Sequence, residues 1–250
     1  MAPIHTTIDN RIAMITIDAS PVNALAVDGW IAVAEAIEAA SEDREIRAIV
    51  LQGTPGRFCA GADISVLAEP PEEDAFMLRI VGRASTAIRR SRVPVIAAID
   101  GPAHGGGLEL ALACDIRIAS GQATFAASGV NMGLVANVAS LTAAIGRTRA
   151  SLMLLTGNPI DANQAAAWSL ASLLDNDPHG RALAMAEEIA TKAPLAVEAN
   201  KVALGAVDAL DPDEHTNVVT TLFTSLERSA DHREAVDAFL NKRPPTFARS

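Results

Sequence analysis

Tyrosine is absent from this chain of 250 residues, and all aromatics together make up only 3%. Chemistry at a phenol is therefore excluded, and the rings that would stack single-stranded nucleic acid are missing. The two cysteines, Cys59 and Cys114, are too few for a disulfide scaffold. Both lie in apolar surroundings and read as small buried thiols. No apolar run reaches the ~18 residues that span a bilayer, and Met1-Ala2-Pro3-Ile4-His5 has no basic region leading into an apolar stretch. Positive charge is also scarce: 20 basic residues stand against 30 acidic ones, a formal charge of −10. That balance argues against nucleic acid or a membrane surface as partner, since both attract a positive field. A cytoplasmic, reducing setting is the expectation. With 50% of its residues hydrophobic, the chain has the material for a sizeable core and is not a disordered segment.

Two kinds of pattern follow one another along the chain. Thr6 to Asp9 and Ile12 to Ile17, separated by Asn10-Arg11, predict a hairpin. Asp28 is the expected cap of a helix whose apolar stripe is Ile31, Val33, Ala34 and Ile37. Ala48 to Leu51, Pro94 to Ile99 and Ile116 to Ala119 are short continuous apolar runs, expected as buried strands. Helices are expected from Glu73 to Arg90 and from Gly105 to Ala113. This alternation predicts α/β layering with crossovers. Beyond residue 140 the strand signal fades, and helices are expected over 140–156, 161–171, 180–192, 195–208, 213–229 and 231–241. Asp161, Asp213 and Asp231 are the expected caps, with Pro159, Pro178, Pro194 and Pro212 at boundaries. No linker separates independent domains. The expected division is a core over 1–195 and a helical region over 196–250.

Chemistry concentrates at two glycine-bearing turns, each following a buried strand: Phe58-Cys59-Ala60-Gly61-Ala62-Asp63-Ile64 and Gly101-Pro102-Ala103-His104-Gly105-Gly106-Gly107-Leu108-Glu109. Small residues let a ligand approach the backbone, and two converging N–H groups would polarise a carbonyl; a tight turn alone would also account for the glycines. Phosphate-loop and dinucleotide spacings are missing, as are a nucleophile elbow and any metal-ligand cluster. Glu109 stands in an otherwise apolar helix, with no partner three or four residues away. Such a carboxylate suits proton transfer near neutral pH, although a Glu early in a helix is also favoured by the helix dipole. Asp115 reads as structural and Trp30 and Trp168 as packing residues. His5, His179, His215 and His232 read as surface residues.

These two turns together, with Glu109-Leu110-Ala111-Leu112-Ala113-Cys114-Asp115 completing the second, resemble the enoyl-CoA hydratase/isomerase (crotonase) superfamily. Pro21-Val22-Asn23-Ala24-Leu25 is similar to its N-terminal marker and Ala238-Phe239-Leu240-Asn241-Lys242-Arg243 to its C-terminal signature, so the likeness spans essentially the whole chain. The resemblance implies an α/β spiral of ββα units, with the C-terminal helices building a homotrimer or a dimer of trimers. It implies a coenzyme A thioester as substrate, no prosthetic group, and a place in fatty-acid metabolism. The Ala62 and Gly106 amides would form the oxyanion hole. Ala60, Ala62, Asp63 and Ile64 would border the adenine, and Phe239 and Lys242 would meet coenzyme A, often from a neighbouring subunit. Lys242 and Arg243 also fit a solvated helix end.

One departure from the family decides the expected reaction. Hydratases of the family use two glutamates; Glu109 matches the first, and Gly129 stands where the second belongs. No Asp or Glu occurs from Ile116 to Ile160. Hydration needs one group to take a proton from water and another to protonate carbon, whereas moving a double bond needs only one base that removes and returns a proton. The expected activity is therefore a shift between 3-enoyl-CoA and 2-enoyl-CoA, with Glu109 as sole base. Family isomerases more often keep the second acid, which counts against this assignment. A hydratase using Glu109 and water ordered by Ser128, Asn131 or Asn137 is the alternative, as are decarboxylation, thioester hydrolysis and a non-catalytic acyl-CoA binder. His104, Gly129 and Asn137 are possible substrate contacts. The segment from Val66 to Val81, expected as a mobile loop with Pro70, Pro71, Glu72 and Glu73, and the surroundings of Leu134 are the expected acyl-pocket walls.

Overall fold

The computed structural model describes residues 3–68, 75–207 and 209–250. The expected hairpin is β1 (Ile4–Asp9) and β2 (Ile12–Ile17), paired antiparallel with Asp9 opposite Ile12. Both turn residues, Asn10 and Arg11, have positive φ, the handedness that lets a two-residue loop follow the strand twist.

From β2 onward the chain repeats a short theme: a long strand, a short strand displaced from it, then a helix. The first round is β2, β3 (Ala24–Leu25) and α1 (Val27–Glu42). The second is β4 (Ala48–Gly53), β5 (Gly61–Ala62), a short α2 (Ile64–Ala68) and α3 (Phe76–Arg90). The third is β6 (Val95–Ile99), β7 (Pro102–His104) and α4 (Gly106–Ala113). The fourth is β8 (Ile116–Ala119), β9 (Thr124–Ala126), a 3-10 turn (Ser128–Met132) and α5 (Val138–Thr156). After β10 (Ile160–Asp161), α6 (Ala162–Ala167) and β11 (Leu173–Leu174), the rest is helical: α7 (Pro178–Ala190), α8 (Pro194–Ala206), α9 (Pro212–Glu227) and α10 (Ala230–Leu240).

The long strands form one sheet in the order β1-β2-β4-β6-β8-β11, parallel except at β1. Both faces of this sheet are covered, which explains its uninterrupted apolar runs. Ile49 and Leu51 face the main core with Trp30 and Phe58, while Ala48 and Val50 face a second layer closed by Ala182 and Ala186 of α7. The short strands form a second sheet, β10-β9-β7, and a pair, β3-β5.

Several local expectations are corrected. Asp28, Asp213 and Asp231 do not cap their helices, because each helix starts one or two residues earlier. Ala26 precedes α1 without a side-chain cap, Asp211 caps α9 in a capping box with Glu214, and Ser229 caps α10. Asp161 does cap α6. The helix expected from Glu73 starts at Phe76 among the described residues, so Phe76 to Val81 are helix rather than loop. Pro70, Pro71, Glu72 and Glu73 lie outside the described residues. His179 and His215 are half-buried rather than on the surface, their rings bonded to the carbonyls of Gly53 and Ala203.

The last three helices are attached largely by polar grips. The buried residues of α8, α9 and α10 are Pro194, Lys201, Asp231 and Ala238. Lys201 Nζ donates to the Ile88 and Val93 carbonyls and, at 2.7 Å, to Asp115. Glu198 accepts from Arg92 and, through both oxygens, from Arg249. Among the described residues no helix is long and apolar enough to cross a membrane.

Candidate active site

The two glycine-bearing turns lie side by side and are laced through their backbones. Cys59 bridges Ala103: its N–H donates to the Pro102 carbonyl at 2.9 Å, and its own carbonyl accepts from His104 N–H at 3.1 Å. The glycines serve this close approach as much as any ligand. A β-carbon on Gly61 would lie 2.8 Å from the His104 carbonyl oxygen and 3.3 Å from the Gly106 nitrogen. One on Gly107 would run into the Cys59 carbonyl, and one on Gly106 would press on the Trp30 ring at 2.8 Å. Trp30 is itself fixed by an indole bond to the Leu25 carbonyl. Gly105 has a positive φ of 51°, which a side chain disfavours.

Two amides of these turns differ in their setting. Gly106 opens α4, so its N–H is among those a helix leaves without an intrahelical acceptor. In the other turn, Asp63 N–H donates to the Leu25 carbonyl at 2.9 Å. Amide directions alternate along an extended strand, so the neighbouring Ala62 N–H turns to the opposite edge. Asp63 immediately precedes α2: its carboxylate accepts from the Ser65 amide and hydroxyl, and these bonds hold it below the usual carboxylate range. Ile64 beside it is exposed, and Ala60 donates to the carbonyls of Val22 and Asn23. Buried Asn23 ties this corner together, bonding the carbonyls of Ile17 and Phe58.

Glu109 projects from α4 and is 18% exposed. The isolation expected from its helical neighbours does not hold, because its partners come from other helices. Oε2 accepts from Ser140 Oγ at 2.7 Å and from Asn137 Nδ2 at 3.0 Å, both at the start of α5. Oε1 faces Arg89 of α3 at 3.4 Å. Asn137 Nδ2 also reaches the Gly105 carbonyl, tying the carboxylate to the glycine turn, while Asn137 Oδ1 is buried with no donor among the described residues. Arg89 and Ser140 were invisible as partners in the sequence, being 20 and 31 positions away. The one available signal was polar residues at the start of an apolar helix.

The remaining expected contacts divide. His104 bonds Thr124 at 3.0 Å, and burial holds its imidazole below the usual range, so it favours the neutral form. Gly129 lies in the 3-10 turn, where a β-carbon would sit 3.0 Å from the Leu134 carbonyl. Phe239 is exposed on α10 and Lys242 lies just beyond it. Neither shares a hydrogen bond or ion pair with the Glu109 cluster among the described residues. Cys59 and Cys114 are buried free thiols, both pushed up to about 12 by burial. Asp115 is structural, held by Lys201 and the Val95 amide. Among the described residues no group of His, Cys, Asp and Glu is arranged to hold a metal ion.

A spiral of ββα turns carrying two interlaced glycine turns, with a carboxylate on the helix that opens from the second, defines an α/β class that the comparisons identify. Residues 7–250 match the family model described as enoyl-CoA hydratase/isomerase. A probable enoyl-CoA hydratase, EchA12, of Mycobacterium leprae is 33% identical, over 94% of this chain and 85% of its own length. A probable mitochondrial enoyl-CoA hydratase of Dictyostelium discoideum is 32% identical, over 95% of this chain and 87% of its own. Among solved structures, DspI of Pseudomonas aeruginosa superposes with a TM-score of 0.94 at 33% identity, covering 99% of this chain and 97% of that one. An enoyl-CoA hydratase of Bacillus anthracis does so with a TM-score of 0.95 at 26% identity, covering 99% and 100%. The chain belongs to the enoyl-CoA hydratase/isomerase family and has the crotonase fold.

Proposed function

We propose that this protein shifts the double bond of an acyl chain between 3-enoyl-CoA and 2-enoyl-CoA, with Glu109 as its only base. The Ala62 and Gly106 amides take the thioester oxygen. Glu109 removes a proton from the α-carbon, and the C–H electron pair moves through the carbonyl carbon to the oxygen held by the amides, giving a dienolate. Glu109 then returns the proton to the γ-carbon, the double bond moves into conjugation, and the carboxylate is regenerated. The reading is supported by the partners of this carboxylate, which among the described residues are Asn137, Ser140 and Arg89, and by the absence of Asp or Glu from Ile116 to Ile160.

Coenzyme A enters as part of the substrate, with Ala60, Asp63 and Ile64 along the adenine and Phe239 and Lys242 offered by a neighbouring subunit. No separate prosthetic group is required. The region 196–250 forms the trimer contact. Exposure of Val219 and Phe223 on α9, and of Phe239 and Leu240, supports that assignment. Two reduced thiols fit a cytoplasmic setting.

Hydration of 2-enoyl-CoA is the second reading. The relatives' names favour it, and so does Asn137, whose free amide oxygen beside Glu109 can accept from a water. Purified protein mixed with a 3-enoyl-CoA is expected to raise the absorbance of the conjugated thioester at constant mass; a gain of one water from 2-enoyl-CoA with no migration would establish the hydratase instead. Glu109→Gln is expected to lower turnover by about 10²–10⁴. Wild-type turnover in that variant would remove Glu109 as base, and tight acyl-CoA binding with no turnover in either protein would mark a binder.

A further inference from the structure

We infer that Ser140 and Asn137 are positioning residues that clamp one oxygen of Glu109, so that the other is presented to the substrate; the inference rests on the reading of Glu109 as the base. The asymmetry of the carboxylate carries it. Both short bonds, from Ser140 Oγ at 2.7 Å and Asn137 Nδ2 at 3.0 Å, end on Oε2, while among the described residues Oε1 has only the long contact to Arg89 at 3.4 Å. Two donors converging on one oxygen pin that atom in place. A side chain with several free torsions thereby becomes a directed base, which proximity-driven proton transfer requires.

The orientation of the Asn137 amide follows from its surroundings. Its Nδ2 lies against two acceptors, Glu109 Oε2 and the Gly105 carbonyl. Flipping the amide would set its oxygen against both, so only the donor orientation is compatible. The backbone at Asn137 takes a φ of 61°, which asparagine accepts more readily than most residues, and this sets the amide at the head of α5. The same amide links the carboxylate to the Gly105 carbonyl, one residue before the Gly106 amide, so base and oxyanion donor share a single brace. Ser140 adds a tighter bond from the next turn of α5; its hydroxyl proton has Glu109 at 2.7 Å as an alternative to the Asn137 carbonyl at 3.4 Å, and the shorter contact takes it.

The test uses the full-length protein and the enoyl-CoA that the wild type turns over. Ser140→Ala keeps a helix-favouring residue, and Asn137→Gly accepts the positive φ, so neither needs the fold to change. Each is expected to lower kcat about tenfold with KM within about twofold, and Ser140→Thr to recover most of the loss. On a Glu109→Gln background neither is expected to lower the residual rate further, because both act through that carboxylate. Unchanged kcat in Ser140→Ala and Asn137→Gly, or an equal loss with and without Glu109, would overturn the clamp. If Glu109→Gln retains full turnover, the reading of Glu109 as base fails, which is a separate result. A crystal structure of Ser140→Ala reads the clamp without turnover: a Glu109 carboxylate released from its place supports it, and one unmoved overturns it.

Discussion

The two sides of the site are built by opposite means. The amide side is backbone: Cys59 to Ala62 and Pro102 to Gly107 are laced by main-chain hydrogen bonds and packed without room for a β-carbon at Gly61 or Gly107. The carboxylate side is made of side chains, with Glu109 held by Asn137, Ser140 and Arg89 from two other helices. A backbone wall, the proposed seat of the oxyanion, tolerates almost no change in volume. A side-chain brace tolerates volume and is sensitive to the loss of single hydrogen bonds. Substitutions should therefore separate stability from turnover according to the side they touch.

The sharpest break of this contrast is Gly107→Ala. Its methyl would overlap the Cys59 carbonyl, and the expected loss is more than about 4 kcal/mol, read as a collapse of the thermal transition and of activity with it. Glu109→Gln should do the reverse, removing turnover as stated above while shifting the melting temperature little. Lys201→Met probes the seat of α3, which carries Arg89. It removes the ammonium from the Ile88 and Val93 carbonyls and from Asp115, each of which keeps a donor from Ser91 or Val95, and about 2 kcal/mol of unfolding free energy should be lost in a denaturant titration.

A smaller effect tests the amide side by pH. Burial lowers the His104 pKa in the folded protein, so the unfolded chain binds this proton more readily. Its contribution to stability is complete above the unfolded value of about 6.5 and is lost as pH falls toward the folded one. Melting at pH 7.5 and 5.5 should show a loss on acidification that is smaller in His104→Gln; an identical loss would show that His104 does not contribute. Smallest is Arg89→Met. The guanidinium is 48% exposed, so the change in stability should stay below about 1 kcal/mol.

The same contrast explains what could be read from the sequence. The long strands announce themselves, because Ala48 to Leu51 and Val95 to Ile99 are buried on both faces and must be apolar throughout. Glu109 stands out as a charge in such company. The short strands β5, β7, β10 and β11, of two or three residues each, are defined by partners far along the chain and leave no local period to detect. Arg89 and Ser140 escape for the same reason. Their role follows from where α3 and α5 meet α4, a tertiary fact. Asp213 and Asp231 mislead as caps because acidic residues favour the whole first turn of a helix. Asp231 in fact turns inward to take the amides of Ala248 and Arg249.

The way the last helices are fastened has a mechanical consequence. A greasy seam can slip by a turn and still satisfy itself. A guanidinium gripping both oxygens of Glu198, and an ammonium capping two carbonyl groups and one carboxylate, cannot. Rotation or sliding of α8 would break several directional bonds at once, so this helix is held in a single register against the core it covers.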